Sequence, residues 1–203
     1  MPLPKATLPA VPVGVTDWKG CEWVTQRALD AANLTVENDA LTLRGNGLDL
    51  CDRKMQGLLL VRQQERAFTA ETALEIPAAG TAGLTCYYDE HSYLKFGVGP
   101  EDLLLEEYAG YEMVSRQRAP LPAGTSNVRL RVTATGGQRH FAMQDGTDWR
   151  TLWSIPEPRY LTSEGLQCGK RFTGAMVGLY VHGTSAVRFA DWVAVWPHPE
   201  EKR

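Results

Sequence analysis

The chain has 203 residues, of which 43% are hydrophobic and 22% are charged, and its formal net charge is -3. This length suits one domain with a substantial core, and the composition is that of an ordinary globular protein. We expect no nucleic-acid binding, because binding to phosphate depends on clustered Lys and Arg, which this chain lacks. We also expect no membrane span, because no stretch approaches the roughly 18 apolar residues that a spanning helix needs.

The two ends of the chain differ from the rest. Residues 1–15 are rich in proline and small residues, which predicts an extended linker, and residues 199–203 are expected to be a tail. Residues 16–198 are expected to form one module. The opening segment has no continuous apolar core, so it does not resemble a secretory signal. We therefore expect a cytoplasmic protein, or an extracellular one if the chain is a fragment of a secreted enzyme.

Cysteine usage indicates a reducing compartment. Four cysteines lie far apart in the sequence and form no CxxC pair: Cys21, Cys51, Cys86 and Cys168. Without an export signal we expect four separately buried thiols, although oxidation would allow three disulfide connectivities. A zinc site is not expected, because the close pairs of ligands typical of such sites are missing.

From residue 41 onward, short segments alternate between apolar and polar residues. The clearest examples are residues 41–44, 93–98, 128–133 and 176–181. Alternation with a period of two places each apolar set on one face of a β-strand. Dipeptides typical of hairpins separate some of these segments: Gly136-Gly137, Asp145-Gly146 and His182-Gly183. With no long amphipathic helix in view, the pattern predicts an all-β fold, either a two-sheet antiparallel β-sandwich or a barrel.

Four stretches form an ordered pattern across most of the chain. They are residues 23–27 with 41–45, residues 58–64 followed by Phe68 and Ala70, residues 82–89 followed by Tyr93, and residues 172–180. In order and spacing they resemble the C-terminal module that follows the catalytic propeller in family 43 glycoside hydrolases of the β-xylosidase type. This module is also classed as carbohydrate-binding module family 91. The resemblance implies a concanavalin A-like jelly roll. Val61, where the family usually has arginine, and the loosely matching residues 189–193 depart from the pattern.

The resemblance also implies a function. The family's five-bladed propeller, with its three catalytic carboxylates, has no counterpart here, so we expect a non-catalytic accessory module for xylan-type hemicellulose. Its partners would be xylo-oligosaccharide or xylan and a glycosidase propeller, present as a domain or as a separate chain. In the family one loop of the module lines the catalytic pocket, so a structural subunit without its own sugar affinity is the alternative. An uncovered docking surface would favour a homodimer.

Sugar recognition requires flat aromatic faces and planar polar groups. Side chains of these types on the segments that resemble the family are the candidate ligand-binding residues: Arg62, Gln64, Tyr87, Asp89, Tyr93, Tyr180 and His182. Strand parity puts Tyr87 and Tyr88 on opposite faces, so one is expected in the core and the other in a groove. An internal salt bridge is the alternative for Arg62, and packing at the core or rim is the alternative for Tyr180 and His182.

Other conspicuous residues are expected to be structural. Trp192 and Trp196 share a face and are expected to cover a sheet, and residues 144–149 should form a hairpin that Trp149 fastens to the sheet. No cofactor is expected. A structural calcium ion is common in concanavalin A-like folds, with Asp17 and Asp191 as candidate ligands, but no carboxylate cluster is visible in the sequence.

Independent glycoside hydrolysis is a third hypothesis, because concanavalin A-like sandwiches also carry such enzymes. Retaining glycosidases need two carboxyl groups about 5–5.5 Å apart. Glu106 and Glu107 are adjacent, so on a strand they point to opposite faces. Glu71 and Glu75 share a face, but they lie on a segment that matches an ordinary structural strand of the module. The sequence therefore predicts no catalytic residue.

Overall fold

The structure is a computed structural model that describes residues 18–166 and 174–197. The predicted linker at 1–15 and the predicted tail at 199–203 lie outside the described residues. So do residues 172–173, the first two of the last family-like stretch.

Strands dominate the described residues. They are β1 Leu34–Glu37, β2 Ala40–Arg44, β3 Leu58–Arg62, β4 Phe68–Glu75, β5 Thr81–Asp89, β6 Ser92–Val98, β7 Asp102–Ala109, β8 Glu112–Pro120, β9 Asn127–Thr135, β10 Gln138–Asp145, β11 Asp148–Ile155, β12 Met176–His182 and β13 Ala186–Val195. Helical structure is limited to short 3-10 turns at Trp18–Gly20, Ala31–Asn33 and Arg159–Leu161. Among residues 18–166 and 174–197, no helix is both long enough and apolar enough to cross a membrane.

The strands form two antiparallel sheets, which confirms the predicted sandwich and rules out the barrel. One sheet has the order β1-β2-β13-β4-β9-β10-β11 and the other has the order β3-β12-β5-β6-β7-β8. The last two strands enter the interior of the sheets, β12 between β3 and β5 and β13 between β2 and β4. Each sheet is therefore completed only when the C-terminal part of the chain is in place.

The core lies between the two sheets and follows the predicted alternation. On β9, Leu130 and Val132 are fully buried in it, whereas Arg131 points to the outer face and pairs with Glu71 at 2.6 Å. A cluster of tryptophan rings packs near one edge of this core. The centroid of the Trp23 ring lies 5.6 Å from that of Trp18 and 4.9 Å from that of Trp192.

The structure also confirms the predicted structural roles of Trp192, Trp196 and Trp149. Trp192 is 2% exposed within the core, and the Trp196 ring packs against Phe68 at 5.4 Å. The β10–β11 hairpin closes at Gly146 and Thr147, and the Trp149 ring lies 3.7 Å from the guanidinium carbon of Arg131 on the outer face.

The prediction that the cysteines are all buried is wrong in part. Cys86 is buried, Cys21 is half-buried and Cys51 is exposed, and all of these thiols are free. Cys51 is exposed because it lies in the irregular connection between β2 and β3 instead of on a strand. Cys168 lies outside the described residues.

Candidate functional site

The outer face of the six-stranded sheet, which points away from the core, carries most of the candidate residues. Strand register aligns their side chains in rows. One row is Arg62, Met176, Tyr87, Tyr93, Tyr108 and Met113. The ring of Tyr93 stacks between those of Tyr87 and Tyr108, with centroids 6.0 Å and 4.5 Å away. The sequence pattern therefore produces a ladder of three tyrosines across neighbouring strands.

Tyr180 lies four residues along β12 from Met176 of this row, beside Gly83 and Gly97, which pair with each other. A Cβ added to Gly97 would collide with the hydroxyl of Tyr180 and with the carbonyl of Ala82. The absence of a side chain at Gly97 therefore makes room for the ring.

The connection between β2 and β3, residues 45–57, crosses this face and is here named the covering segment. Leu50 and Met55 from this segment form one cluster with the tyrosine ladder and are 0% and 4% exposed. Asn46 closes the segment by donating to the carbonyl of Lys54 at 2.9 Å, and the amide of Gly47 donates to Gly183 at 2.8 Å. The face predicted to be a groove is therefore filled at its centre.

A buried ion network lies beneath the covering segment. The ammonium of Lys95 is 2.9 Å from Asp49, which the covering segment supplies, and 2.8 Å from Glu106 on β7. Glu106 also accepts from Arg116 on β8 at 2.7 Å. Lys95 is 1% exposed, and a charge buried to this degree is tolerated only with close partners. The network therefore fixes the covering segment onto the sheet.

The tyrosines on this face are held in the neutral form. Burial is the main cause that raises the pKa of Tyr87, Tyr93 and Tyr180 far above that of a free tyrosine, and nearby carboxylates add to it. Burial, with Glu106 and Asp49, raises the pKa of Tyr108 to about 12. The hydroxyls therefore remain protonated at physiological pH and can donate hydrogen bonds.

The network reaches solvent at both of its ends. The side chain of Arg116 is 45% exposed, that of His182 is 37% exposed, and Tyr108 is half-buried. The imidazole of His182 lies 3.8 Å from the carboxylate of Asp49, so it continues the network on the far side of Lys95. We name these three side chains the open rim. They present planar polar groups and one aromatic edge, the types that bind sugar hydroxyls and ring faces.

The predicted site residues therefore divide into groups. The structure brings Tyr87, Tyr93 and Tyr180 together, but each is at most 2% exposed, whereas His182 reaches solvent on the same face. Arg62 lies on this face at the edge strand β3 and is exposed. Among the predicted site residues, these three tyrosines are thus buried, whereas Arg62 and His182 reach solvent.

Gln64 and Asp89 do not join the tyrosine ladder. Gln64 follows β3 in an exposed connection, and Asp89 is buried at the β5–β6 turn, where it accepts from the amide of His91 at 2.9 Å. The sequence reasoning did not select Tyr108 or Arg116. Tyr108 had a usable signal, because it is an aromatic residue on an apolar strand that follows the strand of Tyr93 in the sequence.

The carboxylates of this face are already engaged. Asp49 and Glu106 both bind the ammonium of Lys95, and Glu106 also binds Arg116. Both carboxylates are therefore occupied by cationic partners, whereas a retaining glycosidase needs two carboxyl groups that reach the substrate. The geometry gives no support for acid–base chemistry here.

Calcium binding was predicted with Asp17 and Asp191 as ligands. The described residues contain no group of three or more His, Cys, Asp or Glu side chains suited to a metal. Asp191 is 58% exposed and its carboxylate lies 3.6 Å from Arg129. Asp17, the other candidate ligand, lies outside the described residues, so calcium binding stays a prediction.

The fold and this face define a class of protein, a concanavalin A-like β-sandwich. Residues 17–193 match the family described as the beta xylosidase C-terminal concanavalin A-like domain. The chain belongs to this family, as the four family-like stretches in the sequence indicate. A search of curated proteins found no match.

Solved structures of family 43 glycoside hydrolases share the fold. The GH43 protein BlXynB from Bacillus licheniformis is 22% identical with a TM-score of 0.76, over 85% of this chain and 36% of that one. The xylan beta-1,4-xylosidase from Bacillus halodurans C-125 is 20% identical with a TM-score of 0.75, over 89% of this chain and 38% of that one. The chain thus spans little more than a third of these enzymes.

A third similar structure, a functionally unknown protein from Saccharomyces cerevisiae, differs in length. It is 15% identical with a TM-score of 0.62, over 90% of this chain and 99% of that one. At these identities the likeness establishes the fold.

Proposed function

We propose that this chain is a non-catalytic carbohydrate-binding accessory module for xylan-type hemicellulose that works beside a family 43 glycosidase propeller. Membership of the β-xylosidase C-terminal domain family supports the placement beside a propeller. One of the similar enzymes is named as a xylan β-1,4-xylosidase, which supports the choice of xylan.

The open rim carries the sugar-binding part of the proposal. Arg116 and His182 lie at the two solvent-facing ends of one ion network, and the ring of Tyr108, near Arg116, stacks on the buried ladder. A rigid base of this kind holds the exposed groups in place before a ligand arrives, which lowers the entropy lost on binding. A xylo-oligosaccharide, which is longer than one sugar ring, would contact Tyr108 and Arg116 at one end of the network and His182 at the other.

Calorimetric titration with xylohexaose and soluble arabinoxylan tests the proposal, followed by analysis of the mixture for released sugars. Arg116→Ala and His182→Ala should each weaken binding. Arg150→Ala is the matched control, because Arg150 is an exposed arginine on β11 of the other sheet and should leave binding unchanged.

The outcomes separate the three hypotheses. Heat of binding that the two rim variants weaken, without product, supports the module. New reducing ends would contradict the proposal and support independent hydrolysis. Binding that neither rim variant alters would place the sugar elsewhere on the surface.

A structural subunit without its own sugar affinity is the second candidate, and the burial of the tyrosine ladder favours it. Tyr87 and Tyr93 are 2% and 0% exposed, so the covering segment leaves no flat aromatic platform at the centre of the face. This candidate predicts no heat with either glycan and a stable complex with a family 43 propeller lacking its own sandwich.

Sedimentation of the chain alone would test the predicted homodimer, with a monomer at high concentration as the contrary result.

A further inference from the structure

A second concave region lies at one end of the sandwich, between the two sheets. It is a cleft of about 420 Å³, a volume suited to a small molecule. Residues next to β3 and β12 form one side, and β10 together with the loop around the last 3-10 turn forms the other. Its lining includes Gln63, Arg66, Arg139, Glu157, Arg159 and Glu164.

Arg139 is the unusual residue of this cleft. It occupies a core-facing position on β10, on the same face as Phe141 and Met143, and is only 7% exposed. Arginine is rarely buried to this degree without a carboxylate partner. Among residues 18–166 and 174–197, no carboxylate forms an ion pair with Arg139, and its Nε has no hydrogen-bond partner.

The contacts that Arg139 does make are with neutral groups, and one of them is a hydrogen bond with the Cys86 thiol. Its Nη2 donates to the amide oxygen of Gln63 at a long 3.4 Å, and its guanidinium carbon lies 5.2 Å from the centroid of Phe68. Burial raises the pKa of the neighbouring Cys86 thiol, and Arg139 offsets this rise only in part. The thiol therefore stays neutral and does not balance the charge of Arg139.

The other charged side chains that line the cleft indicate which net charge its ligand should carry. Arg159 lies 3.5 Å from Glu157, so these two side chains largely balance each other. Among the described lining residues, the charged side chains that remain are Arg66, Arg139 and Glu164. A monoanion fits this net charge, whereas Glu164 would repel a dianionic phosphate. The planar fork of a guanidinium matches a carboxylate in particular.

We propose that this cleft binds the carboxylate of a sugar acid, with Arg139 holding the carboxylate and Gln63 and Arg66 contacting the adjoining oxygens. The sugar part of the ligand rests on the proposed function, whereas the carboxylate part rests on Arg139. A uronic acid is the matching class, either as the free acid or as a side group on a hemicellulose chain.

The experiment is calorimetric titration of the purified chain with glucuronic acid, glucose, inorganic phosphate and xylohexaose. Glucuronic acid should bind at least about tenfold more tightly than glucose, because an unmatched buried cation discriminates strongly between such ligands. Arg139→Lys keeps the charge but loses the fork, and Arg66→Ala alters an exposed side chain. Each should weaken glucuronic acid binding about tenfold, and Arg150→Ala should not. Circular dichroism melting verifies that each variant is folded.

Equal binding of glucuronic acid and glucose would overturn the inference, as would unchanged binding in both Arg66→Ala and Arg139→Lys. Phosphate binding as tight as that of glucuronic acid would overturn the assignment to a carboxylate. Xylohexaose reports separately on the proposed function, so heat with xylohexaose but none with glucuronic acid would remove this inference alone. A xylo-oligosaccharide with a glucuronosyl branch tests where the ligand's carboxylate comes from. Tighter binding than that of the free acid supports a side group on a hemicellulose chain, and equal binding supports the free acid.

Discussion

Replacement of Lys95 by methionine tests whether the buried ion network holds the covering segment in place. Methionine has a similar length but no charge, so Asp49 and Glu106 would face each other without the ammonium that lies within 3.0 Å of both. Removal of one member of a buried ion pair costs about 3–5 kcal/mol, because the remaining charge is left without compensation.

The structure places the expected cost near the lower end of this range. Glu106 keeps the guanidinium of Arg116 at 2.7 Å, and the side chain of Asp49 is 19% exposed, so water compensates part of its charge. We therefore expect Lys95→Met to lower the free energy of unfolding by about 3 kcal/mol. A second change, Glu106→Gln, should recover about 1–2 kcal/mol, because it removes the repulsion between the carboxylates of Glu106 and Asp49.

Urea unfolding followed by tryptophan fluorescence measures both values. Lys54→Met is the matched control, because Lys54 is an exposed lysine of the same covering segment and should alter stability by no more than about 0.5 kcal/mol. A Lys95→Met variant within about 1 kcal/mol of the parent would refute the reasoning. So would a double variant that is no more stable than the single one.

Three further predictions concern packing, tyrosine ionisation and thiol access. Gly97→Ala should lower the free energy of unfolding by about 1–3 kcal/mol in the same urea assay, because the added methyl displaces Tyr180 or the backbone beside it; an unchanged midpoint would contradict the packing described. Tyr108 keeps its proton to about pH 12 in the folded chain and to about pH 10 when unfolded, so the unfolded state binds fewer protons in this window. Stability should therefore fall between pH 10 and pH 12, and Tyr108→Phe should make this fall smaller in unfolding curves recorded at each pH. Cys51 should react with an alkylating reagent in the folded chain, although burial and nearby carboxylates raise its pKa and slow the reaction. Cys86 should react only after unfolding, and peptide mapping that finds it alkylated in the folded state would count against its burial.

Local pattern was sufficient to predict the sandwich, because the alternation on a strand depends only on which face meets the core. On β9 the apolar and charged residues fall on opposite faces as the period of two requires. The same parity separated Tyr88, which lies in the core between the sheets, from Tyr87 on the outer face. The family-like stretches led to the correct family for the same reason, since they consist largely of these strand residues.

The covering segment could not be predicted in this way. It has no period, and its key contact joins Asp49 to Lys95 across 46 positions of sequence. Lys95 belongs to the polar set that alternates with Leu94 and Phe96, yet it is 1% exposed. Arg139 was missed although it shares a face with Phe141 and Met143, because an arginine near the end of a strand usually reaches solvent.

The covering segment also has a consequence for how such a module can change over generations. It is one uninterrupted connection between β2 and β3, and it rests on the outer face without taking a place in either sheet's order of strands. Loops between strands tolerate replacement far better than the strands do. Exchange of this single stretch could therefore convert a closed face into an open one, while the ladder of tyrosines beneath keeps its register. The sandwich would serve as a constant frame, and new ligand preferences would arise by substitution of the cover.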